Sequence, residues 1–144
     1  MTRRLRALAS LVKLREREKQ AAKSGLIAMR RLESEATASV AYATETLALE
    51  RQIASEGNAT MEDFRAWFPA GLERLATAEE AERAAVVQTE RAKNVALRAA
   101  LECKATETLF RRREKERNDS HVRREQAELD ELSLRARQFR GLRV

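Results

Sequence analysis

The two residue types that most often anchor nucleophilic or zinc chemistry, cysteine and histidine, each occur once, as Cys103 and His121. A single cysteine forms no intramolecular disulfide and supplies no cysteine-based metal cage. A single histidine leaves no Ser/His/Asp pairing and no two-histidine zinc motif without a second chain. Carboxylates are plentiful, but on a slender helical protein they stay solvated, and a solvated carboxyl does not acquire the raised pKa of a general acid. There is no glycine-rich phosphate loop and no clustered ligand set. The residue types therefore predict no catalysis, no metal and no cofactor, and they direct attention to surfaces.

The elements that would carry such surfaces follow from composition. Among 144 residues there are four glycines and one proline, charged residues make up 36% and aromatics 4%. That is too few turn formers for a sandwich, barrel or doubly wound sheet, and too few large side chains to fill a wide core. Ala, Glu, Arg and Leu dominate, as in long helices and coiled coils. The strong punctuation lies between Ser55 and Gly71: Gly57 and Asn58 offer a turn, Thr60 with Asp63 an N-cap signature, and Pro69 a first-turn proline. The expected architecture is all-α, a single antiparallel two-helix coiled-coil hairpin over residues 1–144, with helices over about 3–56 and 69–140 and a turn over about 57–68. One helical turn is expected around Met61–Trp67.

Heptad spacing supports the hairpin. Leu5, Val12, Lys19, Leu26, Glu33, Val40, Leu47 and Ala54, with Leu8, Arg15, Ala22, Met29, Ala36, Ala43 and Glu50, define a seam that is apolar at 11 of 15 positions. The partner seam runs Phe64, Phe68, Gly71, Leu75, Ala78, Glu82, Ala85, Thr89, Ala92, Ala96, Ala99, Cys103, Thr106, Phe110. Its small side chains favour close helix approach, and Cys103 reads as a small buried seam residue. Past Phe110 the seam lapses, and apolar spacing resumes at Leu129, Leu132, Ala136 and Phe139. At about 1.5 Å per residue the second helix outruns the first, so its end should overhang and serve to be gripped by another protein.

Charge is segregated along the chain. Residues 1–32 carry a net +8, residues 33–90 a net −8 and residues 91–144 a net +6. Folded as a hairpin, the termini form a basic end and the bend an acidic one, which suits two different partners or electrostatically oriented docking. Nucleic acid is not expected, because no aromatic is interleaved with the arginines of the run RRREKERNDSHVRREQ and acids such as Glu114, Glu116, Asp119 and Glu125 interrupt them. A membrane-surface role for the start is disfavoured because Leu5, Leu8 and Val12 belong to the seam. No apolar run has the roughly 18 residues needed to span a bilayer. The stretch from Ala7 to Val12 is too short for a secretory signal, and the helical pattern runs on without a cleavage site, so a cytoplasmic chain is expected.

Some large side chains fall off the seam. Tyr42, Leu49 and Ile53 share a second stripe on the first helix. Phe64 and Phe68 would plug the bend, whereas Trp67 and Leu72 are candidates for a docking surface.

The whole pattern resembles the FliJ family of flagellar type III export apparatus proteins and, more distantly, the YscO-like proteins of injectisomes. The residues that carry the resemblance are the basic start RLRALASLVKLREREKQAA, the bend segment FRAWFPAGLERL and the closing helix RRREKERNDSHVRREQAELDEL. The resemblance implies a stalk-like coiled-coil hairpin and a non-enzymatic stalk and adaptor function. Its terminal end would enter the hexameric export ATPase and promote its assembly and activity, and its bend-proximal part would meet the export gate membrane protein and export chaperones. Arg3, Arg4, Arg6, Arg123, Arg124, Arg135 and Arg137 would face the ATPase. The family's gate contacts fall near Tyr42, Phe68, Leu72, Leu75 and Glu79, with Leu49 and Trp67 as neighbouring partner-binding positions. At Glu79 the family pattern would have a different polar side chain. The location implied is cytoplasmic, peripherally associated with the inner membrane at the export apparatus. The competing reading is a basic coiled-coil nucleic-acid binder or a plain structural spacer.

Overall fold

The structure, a computed structural model, describes residues 2–142, so the outermost residues of the expected hairpin (1, 143 and 144) lie outside the described residues. It contains two α-helices, α1 (Arg3–Ser55) and α2 (Met61–Gly141), and no strand among the described residues. The helix ends follow from their capping chemistry. The Leu5 N–H donates to Thr2 Oγ1 at 3.3 Å, satisfying one orphan donor at the start of α1. At its other end Gly57 takes φ +76°, the Gly57 N–H donates to the Ala54 carbonyl at 3.2 Å and the Asn58 N–H to the Ile53 carbonyl at 3.1 Å. These paired bonds around a left-handed glycine close the helix in a Schellman motif. Thr60 then caps α2, its Oγ1 accepting the Asp63 N–H at 3.1 Å.

The connection is shorter than the sequence implies. The expected turn over 57–68 contracts to the residues between Ser55 and Met61, and α2 runs without interruption through Pro69 instead of starting there. An interior proline removes one backbone hydrogen bond and crowds the carbonyl four residues earlier. Here the Thr60 cap and the packed aromatics of the first two turns hold the helix in place across that defect. Residues 61–67, expected to form one separate helical turn, are the start of α2.

The two helices pack as an antiparallel all-α hairpin. Interhelical neighbours fall in α2 as they rise in α1: Arg15 with Glu102, Glu16 with Cys103, Met29 with Thr89, Leu47 with Gly71. Every residue of both expected seams is buried or half-buried. The chain divides into two compact units, one formed by Glu18–Ala100 around the bend and one by the residues up to Arg17 together with those from Leu101 on. In the bend unit Leu47 and Thr89 are buried, and Leu47 Cδ2 lies only 2.7 Å from where a Cβ on Gly71 would stand. The Thr89 hydroxyl lies 3.0 Å from the Ala85 carbonyl and 3.3 Å from that of Met29, so this polar seam residue is satisfied. In the terminal unit Leu5 and Cys103 are buried, and Arg15 Nη1 meets Glu102 Oε2 at 3.3 Å across the helices. Beyond Phe110, every described residue of α2 is exposed. Arg113 and Arg117 still line a cleft with Leu5 and Leu8, and the overhang expected from the sequence is present as helix beyond them.

Candidate partner-binding surfaces

In the bend unit the first two turns of α2 gather the aromatics. The Phe64 and Phe68 rings stack with centroids 4.7 Å apart at 19°, and Trp67 meets Phe64 edge-on at 5.2 Å and 75°. The Arg51 guanidinium caps the Phe68 ring at 5.1 Å, adding a cation–π contact between helices. Trp67 is therefore half-buried in the plug, not standing free as its off-seam position suggested, and Leu75 is half-buried in the seam. Of the seven positions considered for gate or partner binding, Tyr42, Leu49 and Leu72, 73%, 60% and 43% exposed, and Glu79 are the open ones, with Phe68 held in the plug. Tyr42 edges a shallow groove of about 200 Å³ with Leu47, Glu50, Gly71 and Arg74. Glu50 Oε2 is buried there without a hydrogen-bond partner.

The terminal unit presents the basic positions. Arg3, Arg4, Arg6, Arg123, Arg124, Arg135 and Arg137 are all exposed. Arg4 borders an apolar cleft of about 580 Å³ lined by Leu5, Leu8 and Leu11, with Arg113 and Arg117 on its α2 side. Arg124 lines a neighbouring cleft with His121, Glu125 and Glu128. Arg123 Nε donates to the Asp119 carbonyl at 3.4 Å, and Arg135 Nη2 donates to Glu131 Oε1 at 2.7 Å. Exposed pairs of this kind contribute little to stability and leave the arginine charge available to a partner's field.

One arrangement was not legible in the sequence. Cys103 Sγ lies 3.2 Å from Glu16 Oε2 and 3.6 Å from Glu107 Oε1, with one donor atom from each residue within 4.8 Å of the others. Counting cysteines excluded a cysteine-based metal site, but that count does not see carboxylates delivered from a facing helix. The geometry is nevertheless accounted for by a proton. Burial pushes the Cys103 thiol up to about 11, helped by its hydrogen bond to Glu16 and the negative charge of Glu107. At neutral pH the thiol stays protonated and donates to Glu16, which suppresses its nucleophilicity. Only half of it is signalled locally: Glu107 lies one helical turn beyond Cys103, whereas Glu16 comes from the facing helix.

Compared with known proteins, the chain matches no family model, no curated protein and no solved structure. No helix among the described residues is long and apolar enough to cross a membrane. What the arrangement offers is an aromatic-plugged bend bearing an exposed Tyr42/Leu49/Leu72 set, and a basic terminal unit with an unaccompanied helical extension.

Proposed function

We propose that this protein is a non-enzymatic coiled-coil stalk and adaptor of a flagellar type III protein export apparatus. The terminal unit engages the hexameric export ATPase, promoting its assembly and activity. The bend unit contacts the export gate membrane protein and export chaperones, and the chain works in the cytoplasm, peripherally associated with the inner membrane. The observation that carries this reading is the exposed extension of α2, which presents Arg123, Arg124, Arg135 and Arg137 in the same unit as exposed Arg3 and Arg4. An exposed helix end carrying Arg123, Arg124, Arg135 and Arg137 interspersed with Glu125, Glu128, Asp130 and Glu131 suits a protein opening lined by charges of both signs. The resemblance of the basic start, the bend segment and the closing helix to the FliJ family supplies the identity of that partner.

Co-sedimentation with the purified hexameric export ATPase tests the reading. Binding should weaken as salt rises and should be lost when Arg123, Arg124, Arg135 and Arg137 are reversed to Glu. Salt-insensitive binding, or binding untouched by the reversal, removes the charge-docking idea.

The nucleic-acid reading gains one observation: Phe139 is 69% exposed between Arg137 and Arg140, so one aromatic does lie among the arginines. The same segment carries Glu125, Glu128, Asp130 and Glu131, which oppose a phosphate backbone. Steeply salt-dependent DNA or RNA affinity would favour that alternative.

A further inference from the structure

The extension of α2 carries an apolar stripe that none of the described residues covers. Val122, Leu129, Leu132 and Phe139 are 61%, 61%, 59% and 69% exposed. With Glu125 and Ala136 they complete an alternating 3–4 repeat, the spacing of a coiled-coil seam. The stripe does not continue the intramolecular seam. At 3.6 residues per turn it is rotated by roughly a quarter turn from the face that carries Cys103, Thr106 and Phe110. A longer α1 running straight on would therefore not bury it.

We infer that this segment pairs with the same segment of a second copy of the chain, antiparallel, with Leu129 facing the partner's Leu132. The register is self-complementary. Placing Leu129 on Leu132 also places Val122 on Phe139 and Glu125 on Ala136, so large apolar residues meet large ones and the acidic seam position meets the smallest. The flanking positions then bring Glu128 beside Arg135 and Asp119 beside Arg140, each twice because the pairing is two-fold. Arg135 already bonds Glu131 along its own helix, and its forked guanidinium retains further donors for a second carboxylate.

The competing registers are penalised. Sliding the copies by one heptad in one direction sets Glu128 against its own counterpart, and sliding in the other sets Arg135 against its counterpart. A parallel pair would face Glu125 with Glu125 inside the seam and place Arg135 beside Arg140. Like charges at such positions destabilise, so the charge pattern selects one orientation and one register. With only four large apolar layers the association is weak and concentration-dependent. It requires no other protein and occupies the same stretch of α2 as the proposed ATPase contact, so the two are alternative occupants of one surface, and self-association is measured without the ATPase.

Sedimentation equilibrium of the full chain, from low micromolar to several hundred micromolar, tests it. A monomer–dimer equilibrium is expected, abolished by Leu129→Asp with Leu132→Asp while the thermal melt of the hairpin is unchanged, because both residues are exposed in the single copy. Glu128→Arg and Arg135→Glu should each weaken the dimer by roughly tenfold, since two attractive pairs become repulsive. Mixing those two variants should restore association as a heterodimer, and both changes in one chain should restore the homodimer. A chain that stays monomeric throughout overturns the inference. So does a dimer indifferent to the charge swaps, or a mixture that associates no better than either variant alone.

Discussion

Cys103 Sγ, on α2, lies 3.2 Å from Glu16 Oε2, on α1, and this contact ties the protonation of one buried thiol to the packing of two helices. The thiol is 1% exposed, and both burial and its acidic neighbours favour the neutral form. The contact has a consequence for stability at high pH.

In the unfolded chain the thiol titrates near 9.0, whereas in the fold it titrates near 11. Below pH 9 both states hold the proton and the native thiol's stabilising contribution is fully present. As pH rises past 9 the unfolded state loses its proton first, and the contribution is lost progressively until the folded thiol ionises near 11. Urea unfolding at a series of pH values should show wild type losing stability across that window relative to Cys103→Ser. Thiol-reactive reagents at pH 8 should label native protein far more slowly than urea-unfolded protein.

The seam and the exposed stripe of α1 should respond differently to truncation. Leu47 is 6% exposed against Gly71, so Leu47→Ala should cost about 2–4 kcal/mol. Tyr42→Ala, at a position 73% exposed, should change stability by less than about 0.5 kcal/mol. Thermal melts compare them directly. Equal losses would place Tyr42 in the core.

The connection supplies a third expectation. Thr60→Ala removes the acceptor for the Asp63 N–H and should destabilise by about 1 kcal/mol. Pro69→Ala, by restoring an interior hydrogen bond, should stabilise α2 by about 1–3 kcal/mol. A Pro69→Ala variant that melts lower would show that the proline shapes the bend rather than merely being tolerated in it.

Binding should separate from folding at the bend. Under the export-adaptor proposal, Tyr42→Ala and Leu72→Ala weaken binding to the export gate protein while leaving the melting temperature nearly unchanged. A loss of binding accompanied by a large fall in melting temperature would reassign these side chains to structural support.

The seams were legible from the sequence because a 3–4 repeat identifies a helical face without reference to any partner. All 15 seam positions of α1, including Lys19, Glu33 and Glu50, are shielded as the spacing requires. Sequence rules place the start of α2 too late because Pro69 is a strong local breaker, and a local rule cannot weigh the Thr60 cap and the Phe64–Phe68 stack against it. The cluster around Cys103 was invisible for a different reason. Periodicity orients each helix but does not state which residue of α1 stands level with which residue of α2, and Glu16 reaches Cys103 only through that alignment. Trp67 illustrates the same limit, since its off-seam position did not reveal that its ring turns back onto Phe64.

The most direct test of the proposed role is ATP hydrolysis by the purified hexameric export ATPase, measured with the wild-type chain and with Arg123, Arg124, Arg135 and Arg137 reversed to Glu. The account predicts stimulation by wild type and none by the variant, with equal helical circular dichroism for both chains. No stimulation at any ratio, or equal stimulation by both, would contradict it.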